Sequence, residues 1–275
     1  MSNLAQRALT GTVFVLAIVA AIIFKSWIFH LVFGSIAVLG LHEFYTLFKG
    51  SKFSPHATFG LISGIFIYSF GVLSIYKPEL LNWLIGGLLL SFPVFAFAEL
   101  YRKKKTPFEN IGLTVLGLVY IILPLLLLNF SIEFSESTFT ITNFWPVLSI
   151  FILVWCSDTF AYLVGRKFGK HKLFERISPK KSWEGFFGGL LFSLLAGILI
   201  AYFIEAPFYQ YIIYAAVISV FGTLGDLIES MLKRSLAIKD SGTILPGHGG
   251  ILDRFDAVLF VIPILYFLNQ FVFLS

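Results

Sequence analysis

Nine long runs of apolar residues, joined by short polar segments, constrain the fold of this chain more than any other feature. A helix needs roughly 20 mainly apolar residues to cross a lipid bilayer, and β strands are much shorter. In lipid a helix also pairs its own backbone groups, which an isolated strand cannot do. The sequence therefore predicts an all-α, polytopic integral membrane helix bundle with about nine transmembrane helices. The runs are residues 8–24, 27–48, 57–76, 80–100, 111–130, 144–165, 185–204, 208–231 and 251–274.

The composition excludes the main alternatives to a membrane protein. Hydrophobic residues make up 58% of the chain and charged residues only 13%, whereas soluble domains carry roughly 25% charged residues. Disorder would require low hydrophobicity. The single cysteine, Cys156, excludes an internal disulfide framework. Because no repeat or linker divides the sequence, we predict one membrane domain over residues 1–275. Within it, residues 1–143 serve mainly as scaffold or dimer contact, and residues 144–275 form the catalytic helices and loops.

The lysines and arginines are distributed unevenly between the two sides of the predicted bundle. With nine alternating helices, eighteen of the twenty basic residues fall on one side, and only Lys25 and Lys77 fall on the other. Basic residues concentrate on the cytoplasmic side of membrane proteins. This predicts a cytoplasmic N-terminus and long polar loops that face the cytoplasm. The net charge of +5 does not by itself indicate nucleic-acid binding.

The first half of the chain contains few polar residues within its apolar runs. His42 and Glu43 lie near the end of the second run, and Glu99 lies at the end of the fourth. Such residues face a bundle interior or reach the membrane interface. We therefore expect structural roles for them.

A first polar segment, with Ser157 and Asp158 at its start, extends from the sixth run into a basic loop. An ionised carboxylate inside an apolar run costs about 3 kcal/mol or more unless it is paired or coordinated. Asp158 is therefore predicted to be functional, with a basic residue or a metal as its partner. Ser178-Pro179 predicts a helix N-cap with proline at the first helical position. A helix beginning there, next to Lys180 and Lys181, would form a phosphate-binding site.

A second polar segment contains two pairs of acidic residues at helical spacing. Asp226 and Glu229, like Asp253 and Asp256, are three residues apart, so each pair shares one face of a helix. Mg²⁺ commonly takes one or two carboxylates and completes its shell with substrate phosphates and water. We therefore predict metal-assisted phosphate chemistry here; the alternative is a loop whose charges merely neutralise one another. The basic residues that would contact phosphate are Lys233, Arg234, Lys239 and Arg254, and the glycines that would let the backbone approach a ligand are Gly247, Gly249 and Gly250.

The second segment also matches a known pattern at every specified position. It reads S-x-L-K-R-x4-K-D-x-G-x2-L-P-x-H-G-G-I-x-D-R-F-D from Ser230 to Asp256. This resembles the signature of the phosphatidate cytidylyltransferases, also called CDP-diacylglycerol synthases. The segments Ser157-Asp158 and 178–185 are similar to that family too, whereas the first 150 residues agree only in being helical and hydrophobic.

The resemblance implies that CTP and phosphatidic acid react to give CDP-diacylglycerol and pyrophosphate, with Mg²⁺ and a second cation such as K⁺. It also implies a homodimer in a bacterial inner membrane, with the active site on the cytoplasmic face and no nucleic-acid partner. We predict Asp226 and Asp253 as the first metal ligands because both stand at helix positions next to the loop, with Asp256 and Asp158 as second choices. The implied catalytic residues are Asp226, Asp253, Lys233, Arg234, Lys239 and Arg254. The implied substrate-binding residues are Ser157, Asp158, Lys180, Lys181, Asp240, His248, Gly249 and Gly250.

Of three competing functions, the kinase and the transporter remain open at this point. A CTP-dependent polyprenol or dolichol kinase shares the nucleotide and the membrane setting. A CDP-alcohol phosphotransferase would require an Asp-Gly-x2-Ala-Arg pattern, which this sequence lacks. An organophosphate or anion transporter would commonly show internal repeats with charges at the midplane. No repeat is evident here.

Overall fold

The computed structural model describes residues 3–24, 26–131, 144–245, 247 and 249–273. Eight of its helices are long and apolar enough to cross a membrane, and a shorter apolar helical segment covers Leu9–Phe24. This confirms the predicted all-α polytopic bundle. The helices are α1 (Asn3–Phe24), α2 (Ser26–Thr46), α3 (Ala57–Tyr76), α4 (Leu81–Arg102), α5 (Pro107–Gly117), α6 (Leu123–Phe130), α7 (Trp145–Phe168), α8 (Trp183–Phe203), α9 (Phe208–Ser235) and α10 (Leu252–Leu268).

Prolines lie at the start of several helices and next to the π-helical turn between α5 and α6. A short 3₁₀ helix, Pro78–Leu80, leads into α4, and Pro107 begins α5. Proline suits the first helical position because its missing N–H would be unpaired there anyway. Helices α5 and α6 are joined by a π-helical turn at Leu118–Ile122, and Pro124 is the second residue of α6. Together they form one membrane-crossing segment, Pro107–Phe130.

The segment at residues 178–182 differs from its predicted structure. It is strand β2 (Ser178–Ser182), which pairs in antiparallel fashion with strand β1 (Lys172–Phe174). The prediction of a helix N-cap at Ser178 is therefore wrong. Helix α8 begins at Trp183, and the Ser182 side chain caps it by accepting a hydrogen bond from the Gly185 N–H at 3.2 Å. A serine four residues after Ser178 thus supplies the cap, and the basic segment before it is extended.

The chain forms two compact units. The first consists of the described residues of Met1–Phe130 and Asp240–Arg254, and the second of those of Ser131–Lys239 and Phe255–Ser275. The first unit is built around α2, whose Phe29, Phe33 and Phe44 are completely buried. The prediction of a single membrane domain with a division at residue 143 stays a prediction.

The first unit also buries a polar network near the ends of α3, α4 and α5. We call this set the Glu99 network; its members are Ser54, His56, Glu99, Arg102 and Asn110. The Glu99 carboxylate lies 2.5 Å from His56 Nε2 and 3.1 Å from Arg102 Nη1, and it accepts a hydrogen bond from Asn110 Nδ2 at 2.8 Å. Glu99 is only 5% exposed. Its charge is therefore balanced by donors from several elements, which agrees with the predicted structural role.

In the second unit, α8 packs very closely on α7 and α9 through glycine. A Cβ atom on Gly189 would lie 2.6 Å from the Ser157 carbonyl oxygen of α7, and one on Gly197 would lie 2.7 Å from the Tyr211 carbonyl oxygen of α9. Small residues allow such close approach between membrane helices. Helix α10 approaches α9 in the same way, since a Cβ atom on Gly225 would lie 2.7 Å from the Asp256 carbonyl oxygen. This close packing brings together the acidic residues that α7, α9 and α10 carry.

Candidate active site

Four carboxyl groups of the second unit lie within electrostatic range of one another. We call this set the acidic cluster; its members are Asp158 on α7, Asp226 and Glu229 on α9, and Asp256 on α10. Like-charged carboxylates repel one another strongly where water is scarce. Such a group is relieved by neighbouring cations or by protonation of some of its members.

Two lysines contact this cluster directly. Lys181 Nζ lies 2.6 Å from Asp226 Oδ2, and the Asp226 side chain is 34% exposed. Ser230 Oγ also donates to Asp226 Oδ1 at 3.2 Å. Lys233 Nζ lies 2.9 Å from Glu229 Oε2, and Lys233 is only 8% exposed. The structure thus brings together four residues predicted from sequence, namely Asp158, Lys181, Asp226 and Asp256, and it places Lys233 in a buried ion pair.

The hairpin of β1 and β2 delivers Lys181 to this cluster. Glu184 stabilises the hairpin base, because its carboxylate accepts hydrogen bonds from the Lys170 N–H at 3.1 Å and the His171 N–H at 3.2 Å. His171 Nδ1 also lies 2.7 Å from Glu184 Oε1. Successive side chains of a strand point to opposite faces. Lys180 accordingly is exposed while its neighbour Lys181 contacts Asp226.

The other predicted residues of the second unit have different surroundings. Ser157 is 6% exposed, and its hydroxyl donates to Ser219 Oγ at 3.1 Å, which connects α7 to α9. Arg234 and Lys239 are exposed. Arg234 Nη1 donates to the Ile238 carbonyl oxygen at 3.0 Å and so holds the chain just after α9.

In the first unit, the segment Asp240–Arg254, which we call the signature loop, is organised by Asp253. Asp253 Oδ2 accepts hydrogen bonds from Ser241 N at 3.0 Å, Ser241 Oγ at 3.0 Å and Gly250 N at 2.9 Å. Gly247 and Gly249 have φ values of 78° and 82°, a conformation that favours glycine. Asp240 and Arg254 are exposed, and His248 lies outside the described residues.

The sequence reasoning missed one residue that contacts this loop. Glu43 of α2 is 1% exposed, and its Oε2 accepts a hydrogen bond from the Leu252 N–H, at the start of α10, at 2.8 Å. The available signal was the one applied to Asp158, namely a carboxylate inside an apolar run. For Glu43, that signal predicted only a structural role and no contact with the signature loop.

The predicted metal ligands belong to both units. Asp226 and Asp256 lie in the second unit and Asp253 lies in the first. Among the residues that the structure describes, no three His, Cys, Asp or Glu side chains are arranged so that they could hold a metal ion by themselves. The assignment of the three aspartates as metal ligands stays a prediction.

Fold and site together define an integral membrane protein that carries lysine-paired carboxylates within its membrane-spanning helices. Residues 5–272 match the Cytidylyltransferase family, and the chain belongs to this family. Proteins named phosphatidate cytidylyltransferase from Staphylococcus haemolyticus, Staphylococcus epidermidis and Staphylococcus aureus are 50%, 51% and 51% identical to it over 121 residues. These residues are 43% of this chain and 46% of each relative, so the match spans about half the length of the relatives.

Proposed function

We propose that this protein is a phosphatidate cytidylyltransferase, which converts CTP and phosphatidic acid to CDP-diacylglycerol and pyrophosphate in phospholipid biosynthesis. The acidic cluster with its lysine partners is the observation that carries the proposal. One substrate is an anionic lipid and the other an anionic nucleotide. A site among membrane helices, rich in both carboxylates and lysines, suits such a pair. Family membership and the names of the relatives support the same reaction.

The reaction needs positioning and charge neutralisation more than it needs an enzyme nucleophile. A phosphate oxygen of phosphatidic acid attacks the α-phosphorus of CTP. The bond from that phosphorus to the oxygen bridging to the β-phosphorus breaks, and pyrophosphate leaves with the electron pair. The lipid phosphate is already largely deprotonated near neutral pH, so no general base is required.

The basic residues of the second unit would neutralise the phosphates. Lys180 and Lys181 extend from the hairpin, and Arg234 and Lys239 are exposed at and just after the end of α9. Preorganised cations beside a transferring phosphoryl group stabilise the charge that develops in the transition state. Lys181 would exchange its contact with Asp226 for one with substrate phosphate. The buried Lys233 would act by keeping Glu229 in place.

The residues present fit a divalent cation. Asp226 and Asp256 are close enough to repel each other, and Asp158 adds a third carboxyl group nearby. A hard divalent cation would relieve this repulsion. We therefore propose Mg²⁺ held by Asp226 and Asp256, which when bound would supply charge neutralisation at the transferring and leaving phosphates. Participation of Asp253 and a requirement for K⁺ belong to the same proposal.

The test is a product assay with purified protein in lipid nanodiscs that contain phosphatidic acid. Labelled CTP is added over a range of Mg²⁺ and K⁺ concentrations, and the lipid and soluble products are separated. The proposal expects labelled CDP-lipid and pyrophosphate in equal amounts. Phosphorylated lipid with CDP would instead establish the kinase. Binding of CTP or organophosphate without turnover would overturn the enzyme proposal and favour a transporter.

We also propose that the site faces the cytoplasm of the bacterial inner membrane and that the protein is a homodimer. Replacing Cys156 by serine gives a cysteine-free chain, because it is the single cysteine. In that background, Lys105→Cys should react with a membrane-impermeant thiol reagent only from the cytoplasmic side, and Lys77→Cys only from the opposite side. The reverse pattern would contradict the orientation. The mass of the protein in native nanodiscs tests the dimer.

A further inference from the structure

We infer that Glu43 is a positioning residue for the signature loop, an inference that rests on the proposed function. Glu43 lies on α2, and its Oε2 accepts the N–H of Leu252, the first residue of α10, at 2.8 Å. The two residues are 209 positions apart in the chain. N–H groups in the first turn of a helix lack intrahelical partners and interact favourably with negative charge. Glu43 thus caps α10 from a distant helix.

The loop backbone is shaped to the Glu43 carboxylate. A methyl group on either Gly242 or Gly250 would overlap Glu43 Oε1. The Ser241 hydroxyl and the Ile251 backbone also lie beside this carboxylate. Neither Gly242 nor Gly250 has a positive φ angle, so close approach accounts for glycine at these two positions. Two separate parts of the loop therefore both lie against one side chain of α2.

Apolar contacts dock the same loop on the same helix. A Cβ atom on Gly40, one turn before Glu43, would lie 3.6 Å from Leu252 Cδ2 and 3.7 Å from Ile251 Cγ2. Leu252 and Ile251 are 1% and 4% exposed. Asp253 holds the loop together internally, whereas Glu43 and Gly40 attach it to α2. The positions of Asp253 and Arg254 consequently depend on Glu43, although Glu43 itself is too buried to contact substrate.

Substitution of Glu43 should therefore lower the protection of the signature loop against hydrogen exchange and lower the enzyme's activity at the same time. Glu43→Ala removes the acceptor for the Leu252 N–H, and Glu43→Gln keeps an acceptor but removes the charge. Hydrogen exchange in nanodiscs should rise in peptides covering residues 240–253 for Glu43→Ala and less for Glu43→Gln. The value of kcat/KM for CTP should fall by about tenfold or more in Glu43→Ala, as expected for loss of a charge-assisted hydrogen bond. Glu43→Gln should recover part of that loss.

Glu99→Gln is the matched control, since Glu99 is also a buried carboxylate of the first unit but contacts His56 and Arg102 instead of the signature loop. It should raise hydrogen exchange around residues 54–56 and 102–110 and leave the signature loop protected. If the loop keeps its protection in folded Glu43→Ala, the inference is overturned. If Glu43→Ala does not fold, hydrogen exchange of the signature loop is measured in Glu43→Gln. Unchanged exchange in that variant would also overturn the inference.

A double-mutant cycle tests the contact itself. Gly242→Ala should reduce loop protection and activity because its methyl group overlaps the Glu43 carboxylate. Combining it with Glu43→Ala removes the overlap, so the double variant should be no less active than Glu43→Ala alone. Additive losses would overturn the inference. Absence of CDP-lipid formation by the unsubstituted protein, with loop exchange still dependent on Glu43, would instead contradict only the proposed function.

Discussion

The acidic cluster and the Glu99 network both place carboxylates among apolar helices, yet their surroundings differ. Glu99 is surrounded by donors, since His56, Arg102 and Asn110 all contact it. In the acidic cluster, Asp226 is near other carboxylates and is contacted by a lysine from a hairpin. A buried carboxylate enclosed by donors connects helices. Crowded carboxylates beside a partly exposed lysine such as Lys181 can exchange that partner for a cation, which frees the lysine for a phosphate.

Asp226→Asn should have the largest effect on activity. It removes one carboxylate charge from the cluster and leaves the side-chain size unchanged, so kcat should fall by about 100-fold or more while the protein stays folded. The CDP-lipid assay and a thermal unfolding curve measure the two quantities. Glu79→Gln, an exposed carboxylate before α4, is the control and should keep full activity. Near-normal activity of Asp226→Asn at saturating Mg²⁺ would contradict a catalytic role for the acidic cluster. The cluster would then be structural, like the Glu99 network.

Glu99→Gln should behave in the opposite way. Loss of the charge leaves the buried His56 and the partly exposed Arg102 without their carboxylate, which we expect to lower the free energy of unfolding by about 2 kcal/mol. Activity per folded molecule should stay close to normal because Glu99 lies outside the proposed machinery. The midpoint of thermal unfolding in nanodiscs measures the first quantity. A large fall in kcat without a loss of stability would show that the Glu99 network also belongs to the site.

Lys181→Ala should have an intermediate effect. The side chain contacts Asp226 and would next contact a phosphate, so its loss should raise the KM for CTP and lower kcat/KM by about tenfold. Lys172→Ala, an exposed lysine on β1 of the same hairpin, should change kcat/KM much less. Equal losses in the two variants would mean that only the total positive charge of the hairpin matters.

The smallest expected effect is a pH dependence of stability from His56. Burial, and to a lesser degree the nearby Arg102 guanidinium, lowers the pKa of His56 below its usual 6.5, although Glu99 opposes this shift. As the pH falls between about 7.5 and 5.5, the unfolded chain therefore binds a proton more readily than the folded protein does. The midpoint of thermal unfolding should fall over this range, and it should fall less in His56→Gln. Identical pH profiles for the two proteins would contradict the lowered pKa.

The membrane-spanning helices were predictable because the length and apolarity of a run are local properties of the sequence. The pair Glu229 and Lys233 was also readable, since a carboxylate four residues before a lysine is a favourable helical spacing. We assigned Lys233 to phosphate instead. The hydrogen bond from Leu252 to Glu43 was not readable, because it joins residues far apart in the chain. Ser178 was misassigned because a serine-proline pair fits the start of a strand as well as that of a helix.

The hydrogen bond from Asn110 to Glu99 has a consequence for how the protein enters the membrane. It joins α4 to α5 across the four residues that separate these helices. Either helix inserted alone would present a polar side chain, Glu99 or Asn110, to lipid, which is costly. Inserted together as a helical hairpin, the two side chains satisfy each other. Biogenesis of this part of the chain should therefore proceed with α4 and α5 entering the bilayer as one unit.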